Sequence, residues 1–239
     1  QQPNLLQQEF ENYLIHGGFL TAINDIAQNH VIATATFNTY IDWIRGDMLR
    51  RGKQEHYLRE VLKAICDSYG SQITWNSLAQ RLSIEHPQTV ADYVALLCSM
   101  DVLYVQEALR EDSLSGAPKK ARKVGFIDPF IFRAVHGWIY PDEQADIVLA
   151  AKLAETCVVS HLRRLYPTYY IKAEGEVDAA YIDQKKFWPV EVKWTNQLRP
   201  KDLKQIRKYS NAQVWSKFSN DQMESIQVLH LSTALFKLS

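Results

Sequence analysis

The 239-residue chain carries 27 lysines and arginines against 27 aspartates and glutamates, so its formal net charge is zero. This balance excludes a uniformly basic nucleic-acid-binding protein and a polyanionic disordered chain, but it allows local patches of either sign. Hydrophobic residues make up 46% of the chain, with 9 glycines and 8 prolines, a composition typical of one large or two small globular domains.

The sequence also indicates where the protein resides. No apolar run approaches the roughly 18–20 residues that span a bilayer. The first residues, QQPNLLQQEFENYL, lack the charged and apolar regions of a secretory signal. Three widely separated cysteines lie among apolar residues, which predicts buried thiols in a reducing compartment: Cys66, Cys98 and Cys157. We therefore expect a cytoplasmic protein with no membrane contact.

Residues 1–52 are predicted to be helical. Leu6, Phe10 and Leu14 have helical spacing, and the Gly17-Gly18 pair that follows is a helix stop. Further helical stretches are expected up to residue 28 and over residues 37–48.

Residues 53–128 predict a winged helix-turn-helix. Three short helices are expected: one from about Tyr57, one capped by Thr74 and one beginning at Pro87. Strands at 102–105 and 123–127, joined by a polar loop, complete a two-stranded wing.

Residues 129–239 predict a different architecture. A long amphipathic helix is predicted over 147–165. Three strands follow, at 169–173, 176–182 and 187–194. A second helix is then expected over 200–210, followed by strands at 213–217 and 226–231. This order predicts an α/β domain with a mixed sheet flanked by helices, which makes the whole chain α/β in class, or α+β overall.

The chemistry lies in the run Glu176-Val177-Asp178 and in Glu191-Val192-Lys193. Residues i and i+2 of a strand share a face, so Glu191 and Lys193 point together, and Asp178 on the preceding strand can lie across from Glu191. Two carboxylates make an oxygen-rich site suited to Mg²⁺, and a lysine beside it can stabilise charge on an attacked phosphate. The simpler alternative is that these charges line an exposed strand face, but a central strand gives them little access to solvent.

Further residues complete the constellation. Glu155 lies midway along the preceding helix, and Gln205 and Tyr209 are four residues apart in the next predicted helix. The ordered set resembles the PD-(D/E)XK nuclease superfamily and its RecB-like branch. The resemblance implies that Asp178 and Glu191 bind Mg²⁺ or Mn²⁺, that Lys193 is catalytic, and that Glu155, Gln205 and Tyr209 assist it.

A wider resemblance covers most of the chain. Residues 10–19 (FENYLIHGGF), 123–129 (KVGFIDP) and the EVD and VEVK segments resemble the carboxy-terminal half of archaeal and bacterial AAA-type ATPases with a DUF4143 region. The resemblance implies a helical lid remnant at 1–52, a winged helix at 53–128 and a nuclease-like domain at 129–239. Leu20 replaces the proline usual in that family after Gly-Gly-Phe. The sequence contains no G-x-x-x-x-G-K-[ST] loop, so no ATP site is expected in this chain, and the resemblance implies that it is the carboxy-terminal portion of a longer ATPase whose core it lacks.

DNA is the implied partner. The predicted wing carries a basic cluster without acids, consisting of Lys119, Lys120, Arg122 and Lys123, and a second basic run consists of Lys201, Lys204, Arg207 and Lys208. Such residues suit phosphate contacts that position a nucleic acid without reading its sequence. The predicted recognition helix at 86–99 contains neither lysine nor arginine, which favours backbone binding, or a wing that packs on a partner protein.

The sequence thus predicts a Mg²⁺-dependent nuclease acting on DNA phosphodiesters. One alternative is a catalytically silent nuclease-like module that binds DNA or a partner protein and regulates the ATPase. A second is a segment that mainly mediates homo-oligomerisation.

Overall fold

The computed structural model describes residues 2–142, 147–195, 198–199, 203–217, 222–223 and 226–238 of an α/β chain. The chain forms two compact units. The first, here the helical unit, comprises Asn12–Val105 and Arg122–Ala145. The second, here the sheet unit, comprises Gln1–Glu11, Gln106–Ala121 and Asp146–Ser239. Residues 12–52 thus group with the predicted winged helix, and the predicted three-domain boundaries stay a prediction.

The amino-terminal 142 residues contain seven helices in their described part: α1 Gln2–His16, α2 Leu20–Asn29, α3 Thr34–Arg50, α4 Glu55–Asp67, α5 Trp75–Ala79, α6 Pro87–Ser99 and α7 Pro129–Ile139. They also contain four strands: β1 Leu103–Glu107, β2 Leu109–Arg110, β3 Ser115–Gly116 and β4 Arg122–Phe126. Strand β1 pairs with β4, and β2 pairs with β3 in a short hairpin.

Local stop and start signals confirm several predicted helix ends. Helix α1 ends at His16, and Gly17 follows with φ +59, a left-handed conformation that favours glycine. Thr74 and Ser77 form a reciprocal capping box at the start of α5. Pro87 is the first residue of α6.

Asp128 joins two segments of the helical unit. Its Oδ2 accepts hydrogen bonds from the Gly18 N–H (2.9 Å) and the Tyr13 hydroxyl (3.1 Å), and its Oδ1 accepts one from the Phe130 N–H (2.8 Å). A Cβ on Gly17 would lie 1.7 Å from Oδ1. Asp128 is only 6% exposed, so these bonds satisfy a buried carboxylate and fix the turn after α1 against the start of α7.

The sheet unit contains α8 Ile147–Leu165, then β5 Thr168–Lys172, β6 Glu176–Asp183 and β7 Lys186–Lys193, followed by β8 Gln213–Ser216, β9 Gln222–Met223, β10 Ile226–His230 and α9 Leu231–Phe236. Strands β5 to β10 form a six-stranded sheet in the order β5-β6-β7-β8-β10-β9. Pairing is antiparallel from β5 through β7 and parallel for β7–β8 and β8–β10. The predicted mixed sheet is confirmed.

Two sets of apolar side chains support this sheet. Helix α8 packs against β5, β6 and β7 and buries Leu153, Val158 and Leu162. A second cluster joins the sheet to the segment after β7 through residues that include Leu203 and Ile206. The strands that carry the predicted site therefore lie inside a packed core.

The helix predicted over 200–210 is wrong. The described part of this segment contains a single 3₁₀ turn, Ile206–Lys208, preceded by Gln205, and Tyr209 already has an extended backbone with φ −115. Leu203 and Ile206 are three residues apart and both buried, a spacing that a tight turn satisfies. Gln205 and Tyr209 therefore do not share one face of an α-helix.

Within the described residues, every helix is either too short or too polar for a bilayer span. Cys157 is buried as predicted, whereas Cys66 and Cys98 are half-buried. Burial raises the pKa of the Cys66 thiol to about 12, so this thiol stays protonated at neutral pH.

Candidate functional site: a carboxylate cluster at one end of the β6–β7 pair

The β6–β7 hairpin determines where the predicted site residues lie. The strands pair in register from Asp183 opposite Lys186 to Ala179 opposite Val190. The next residues along the two strands are Asp178 and Glu191, at the end of the pair away from the hairpin turn. Because side chains alternate along a strand, Glu191 and Lys193 share a face, as predicted.

Glu191 is a buried carboxylate with one oxygen paired. Its residue is 7% exposed, Oε1 lies 2.7 Å from the Lys193 Nζ, and Oε2 is buried without a hydrogen-bond partner. Burial, and then the neighbouring negative charge of Asp178, raise the pKa of Glu191 to about 8, while Lys193 opposes the rise. A carboxylate in this state can gain or lose a proton close to neutral pH.

Asp178 is held by its neighbours on both sides. Its Oδ2 accepts a hydrogen bond from the Val192 N–H at 2.8 Å, which ties the carboxylate to the strand that carries Glu191. Its main-chain oxygen accepts one from the Gln106 Nε2 at 2.9 Å. The same Gln106 nitrogen also donates to the Tyr169 carbonyl at 3.0 Å, and Gln106 is only 2% exposed. A buried glutamine from a distant segment thus fixes the backbone at Asp178.

Three carboxylates from two elements meet beside this pair. One oxygen from each of Glu155, Glu176 and Asp178 lies within 4.8 Å of the others, and all three residues are half-buried. Glu155 comes from α8, whereas Glu176 and Asp178 are two residues apart on β6. The arrangement has the spacing and oxygen chemistry of a site for a hard divalent cation.

The predicted set and the observed set overlap without being identical. The structure brings Glu155 to Asp178, while Glu191 lies outside the three-carboxylate group and interacts with Asp178 electrostatically. Glu176 was not predicted as a ligand. Its signal was the i, i+2 spacing with Asp178, the same spacing that relates Glu191 to Lys193.

Gln205 and Tyr209 lie in different surroundings. The Gln205 side chain packs on the β5–β6 turn, where a Cβ on Gly175 would be 3.1 Å from its Oε1, and its Nε2 is buried without a hydrogen-bond partner. The Tyr209 hydroxyl donates to Glu111 at 3.0 Å. Burial and this hydrogen bond raise the pKa of Tyr209 to about 12. The Tyr209 hydroxyl is therefore directed to Glu111 and not to the group formed by Glu155, Glu176 and Asp178.

The prediction that Lys123 contacts phosphate is corrected by the structure, because this lysine is buried. Lys123 is 4% exposed, because four of the five residues of β4 are buried, so its ammonium is not presented to a ligand. The Arg122 guanidinium lies 4.6 Å from the centre of the Trp75 ring, a cation–π contact. Lys119 and Lys120 are exposed.

The second basic run is only partly available. Lys204 and Arg207 are exposed, whereas the Lys208 Nζ lies 2.5 Å from the Glu174 carboxylate. Lys201 lies outside the described residues.

Comparison with known families identifies both parts of the chain. A family described as Domain of unknown function (DUF8612) matches residues 7–142, more than half of the chain, and one described as Domain of unknown function (DUF4143) matches residues 150–233. The chain belongs to the DUF8612 family, and the predicted resemblance to a DUF4143 region is confirmed for its carboxy-terminal part. No curated protein matches the chain. No solved structure matches it either.

Proposed function

We propose that the sheet unit is a Mg²⁺- or Mn²⁺-dependent nuclease that hydrolyses DNA phosphodiesters. One observation carries the proposal: the buried Glu191 has an unpartnered Oε2 and an ion pair with Lys193, beside the group formed by Glu155, Glu176 and Asp178. Charged groups concentrated in a central strand cost folding energy, which favours a functional over a purely structural role.

The residues fit a divalent cation on chemical grounds. All four carboxylates offer oxygen ligands, and the unpartnered Oε2 of Glu191 is a buried acceptor that a cation would satisfy. Glu155, Glu176, Asp178 and Glu191 are the residues that would hold it. When bound, the cation neutralises charge on the phosphate and lowers the pKa of water.

The chain's own groups supply the remaining functions. Lys193 is 2.7 Å from Glu191, so its ammonium is placed to donate to a phosphate oxygen and stabilise negative charge that develops there. Glu191 can take up a proton near neutral pH because its pKa is raised to about 8. The Val192 N–H orients the Asp178 carboxylate through its Oδ2 and holds it beside the strand that carries Glu191.

Cleavage of plasmid, single-stranded and branched DNA in Mg²⁺ or Mn²⁺ tests this proposal. We expect Asp178→Asn and Lys193→Met to lower the cleavage rate by at least about 100-fold, the order of effect seen when an electrostatic stabiliser is removed from an active site. Matched controls are Asp92→Asn and Lys237→Met, which remove the same charges from exposed positions elsewhere. Cleavage that survives both site substitutions contradicts the proposal.

The alternative is a catalytically silent module that binds DNA or a partner protein. It is favoured by the fact that Asp178 and Lys193 both have partners within the protein, the Val192 N–H and Glu191. This alternative predicts that divalent cations leave the melting temperature unchanged and that DNA or partner binding survives Asp178→Asn. If the chain serves mainly to form homo-oligomers, a sizing measurement will show a multimer.

The wider setting is part of the same proposal. The FENYLIHGGF and KVGFIDP motifs and the DUF4143 match support a chain that functions with an AAA-type ATPase core in the cytoplasm. The order of α4, α5, α6, β1 and β4 supports a winged helix, and the mixed sheet with Glu191 and Lys193 supports a PD-(D/E)XK fold. No ATP hydrolysis is expected from this chain alone.

A further inference from the structure

The far end of the β6–β7 hairpin forms one wall of a groove with a volume of about 600 Å³. Lys185 and Lys186 lie on this wall, and Glu111 and Asp112 of the β2–β3 loop also line the groove, together with Ser210 and Asn211. We call it the hairpin groove. All these residues belong to the sheet unit.

The two lysines are exposed, and their charges are not paired within the described part of the protein. Among the residues that the structure describes, neither Lys185 nor Lys186 forms an ion pair or a side-chain hydrogen bond. The two acids that line the groove already have partners: Glu111 accepts from the Tyr209 hydroxyl, and Asp112 accepts from the Ser113 N–H. The groove is therefore lined by two lysines and two acids that do not neutralise each other by contact.

The backbone of the turn holds one lysine in an unusual conformation. Gln184 and Lys185 are the two central residues of the hairpin turn, with φ +48 and φ +60. Turns of this kind usually contain Asn-Gly, because glycine adopts positive φ without steric cost. Lysine at the glycine position keeps a charged side chain at the edge of the groove at a conformational cost.

We propose that the hairpin groove binds single-stranded nucleic acid on its way to the carboxylate cluster. Phosphates would lie against Lys185 and Lys186, and amino groups of unpaired bases would donate to Glu111 and Asp112 in the same groove. An acidic peptide would bring carboxylates close to Glu111 and Asp112 as well as to the lysines, and those two acids disfavour it. The volume falls within the roughly 300–1,000 Å³ that holds small ligands, which suits one or two unpaired nucleotides better than a duplex.

The position of the groove is consistent with one continuous strand path. Lys186 and Glu191 are five residues apart on β7, which corresponds to about 17 Å at the rise of an extended strand. A strand held at the groove would thus reach the carboxylates a few nucleotides further on. This inference rests on the proposed nuclease only for its substrate class, since binding in the groove needs neither metal nor cleavage.

Binding of a fluorescein-labelled single-stranded oligonucleotide to the full chain, measured by anisotropy in EDTA, tests the proposal. We expect Lys185→Gln with Lys186→Gln to weaken binding by about 10-fold or more. The slope of log affinity against log salt should fall by about 1.4, or about 0.7 for each phosphate that a lysine no longer neutralises. Lys237→Gln removes one exposed charge outside the groove and should leave both values unchanged. A matching duplex should bind the unsubstituted protein several-fold more weakly than the single strand.

Lys185→Gly separates a binding role from a structural one. It removes the charge and relieves the strained backbone, so we expect a higher melting temperature together with weaker binding. Three results would overturn the proposal: unchanged affinity in the double variant, equal or tighter binding of duplex, or equally effective competition by polyglutamate. Loss of cleavage in Asp178→Asn with groove binding intact supports both proposals. Absence of cleavage in the unsubstituted protein, with groove binding still sensitive to Lys185 and Lys186, rejects the nuclease alone.

Discussion

Glu191→Gln should stabilise the protein, and the gain should grow as pH rises. The wild-type carboxylate is 7% exposed, has one unpartnered oxygen, and has a pKa raised from 4.5 to about 8 by burial and by Asp178. At about 1.4 kcal/mol per pKa unit, this displacement corresponds to about 5 kcal/mol. Relaxation and water entry reduce such values in real proteins, so we expect a net gain of about 2–3 kcal/mol at alkaline pH.

The sign follows from linkage. Because the pKa is higher in the folded than in the unfolded state, the folded state binds more protons between pH 4.5 and about 8. The stability that protonated Glu191 contributes is fully present below pH 4.5 and is lost as pH rises through that window. Glutamine resembles the protonated form at every pH and avoids this loss.

Urea unfolding followed by tryptophan fluorescence at a series of pH values from about 5 to about 9 measures the effect. The difference in unfolding free energy between Glu191→Gln and wild type should be small at the acidic end and largest at the alkaline end. Glu174→Gln is the matched control, because Lys208 lowers the pKa of that exposed carboxyl below 4.5, so its pH-dependent window lies below this range and its difference from wild type should stay flat. A difference for Glu191→Gln that stays flat, or falls with pH, would refute the reasoning.

Further predictions concern the helical unit and the cation. Gly17→Ala puts a side chain at φ +59 with its Cβ 1.7 Å from Oδ1 of Asp128, so we expect a loss of about 2–4 kcal/mol in chemical unfolding, and an unchanged midpoint argues against it. Asp128→Ala leaves three donors without their acceptor and should cost about 2–4 kcal/mol in the same assay, unless water replaces the carboxylate. Gly125→Ala places a Cβ 2.4 Å from the Tyr104 ring and should lower the melting temperature by several degrees, whereas full tolerance would show that the ring can move. Millimolar Mn²⁺ should raise the melting temperature of wild type but not of Asp178→Asn, and equal shifts would place the cation elsewhere.

Much of the fold could be predicted because local signals mark its element ends. Gly17 ends α1, Thr74 caps α5 and Pro87 begins α6, each for a reason contained in a few neighbouring residues. Helix α8 ends at Leu165 as predicted because Pro167 stops it. These features depend little on the rest of the chain.

The wrong predictions concern places where tertiary structure decides. A helix was predicted over residues 200–210, with Gln205 and Tyr209 on one face, but the described part of this segment contains a 3₁₀ turn at Ile206–Lys208. Lys123 was expected to contact phosphate as part of the basic wing, whereas β4 is buried along most of its length. Charge and spacing alone do not distinguish a half-buried strand from one that is covered on both faces.

The candidate site also contains residues that the sequence could predict and one that it could not. Glu191 and Lys193 could be found because strand alternation places them together, and Asp178 because it precedes them on a neighbouring strand. Gln106 could not be found, because it reaches Asp178 from 72 residues away with no local pattern. Its role depends on a buried glutamine having to satisfy its hydrogen bonds, which only the folded structure shows.

The Glu191–Lys193 ion pair also reduces the electrostatic repulsion among the carboxylates when no substrate is bound. Several carboxylates near one point repel each other, and the Lys193 ammonium, 2.7 Å from Glu191, offsets part of that repulsion. A phosphate placed beside Lys193 would compete with Glu191 for the ammonium and release that carboxylate from the ion pair. If the proposed nuclease activity holds, substrate phosphate and divalent cation should therefore bind cooperatively, each strengthening the binding of the other.

Lys193→Met tests this coupling directly. Because the substitution removes a positive charge beside the carboxylates, it should tighten Mn²⁺ binding in the absence of DNA and abolish the further tightening that DNA produces. Isothermal titration with Mn²⁺, with and without a non-hydrolysable phosphorothioate oligonucleotide, measures both effects. Lys237→Met is the matched control, since it removes an exposed lysine elsewhere and should behave as wild type. Equal DNA dependence of Mn²⁺ binding in wild type and Lys193→Met would show that the ion pair does not couple the two ligands.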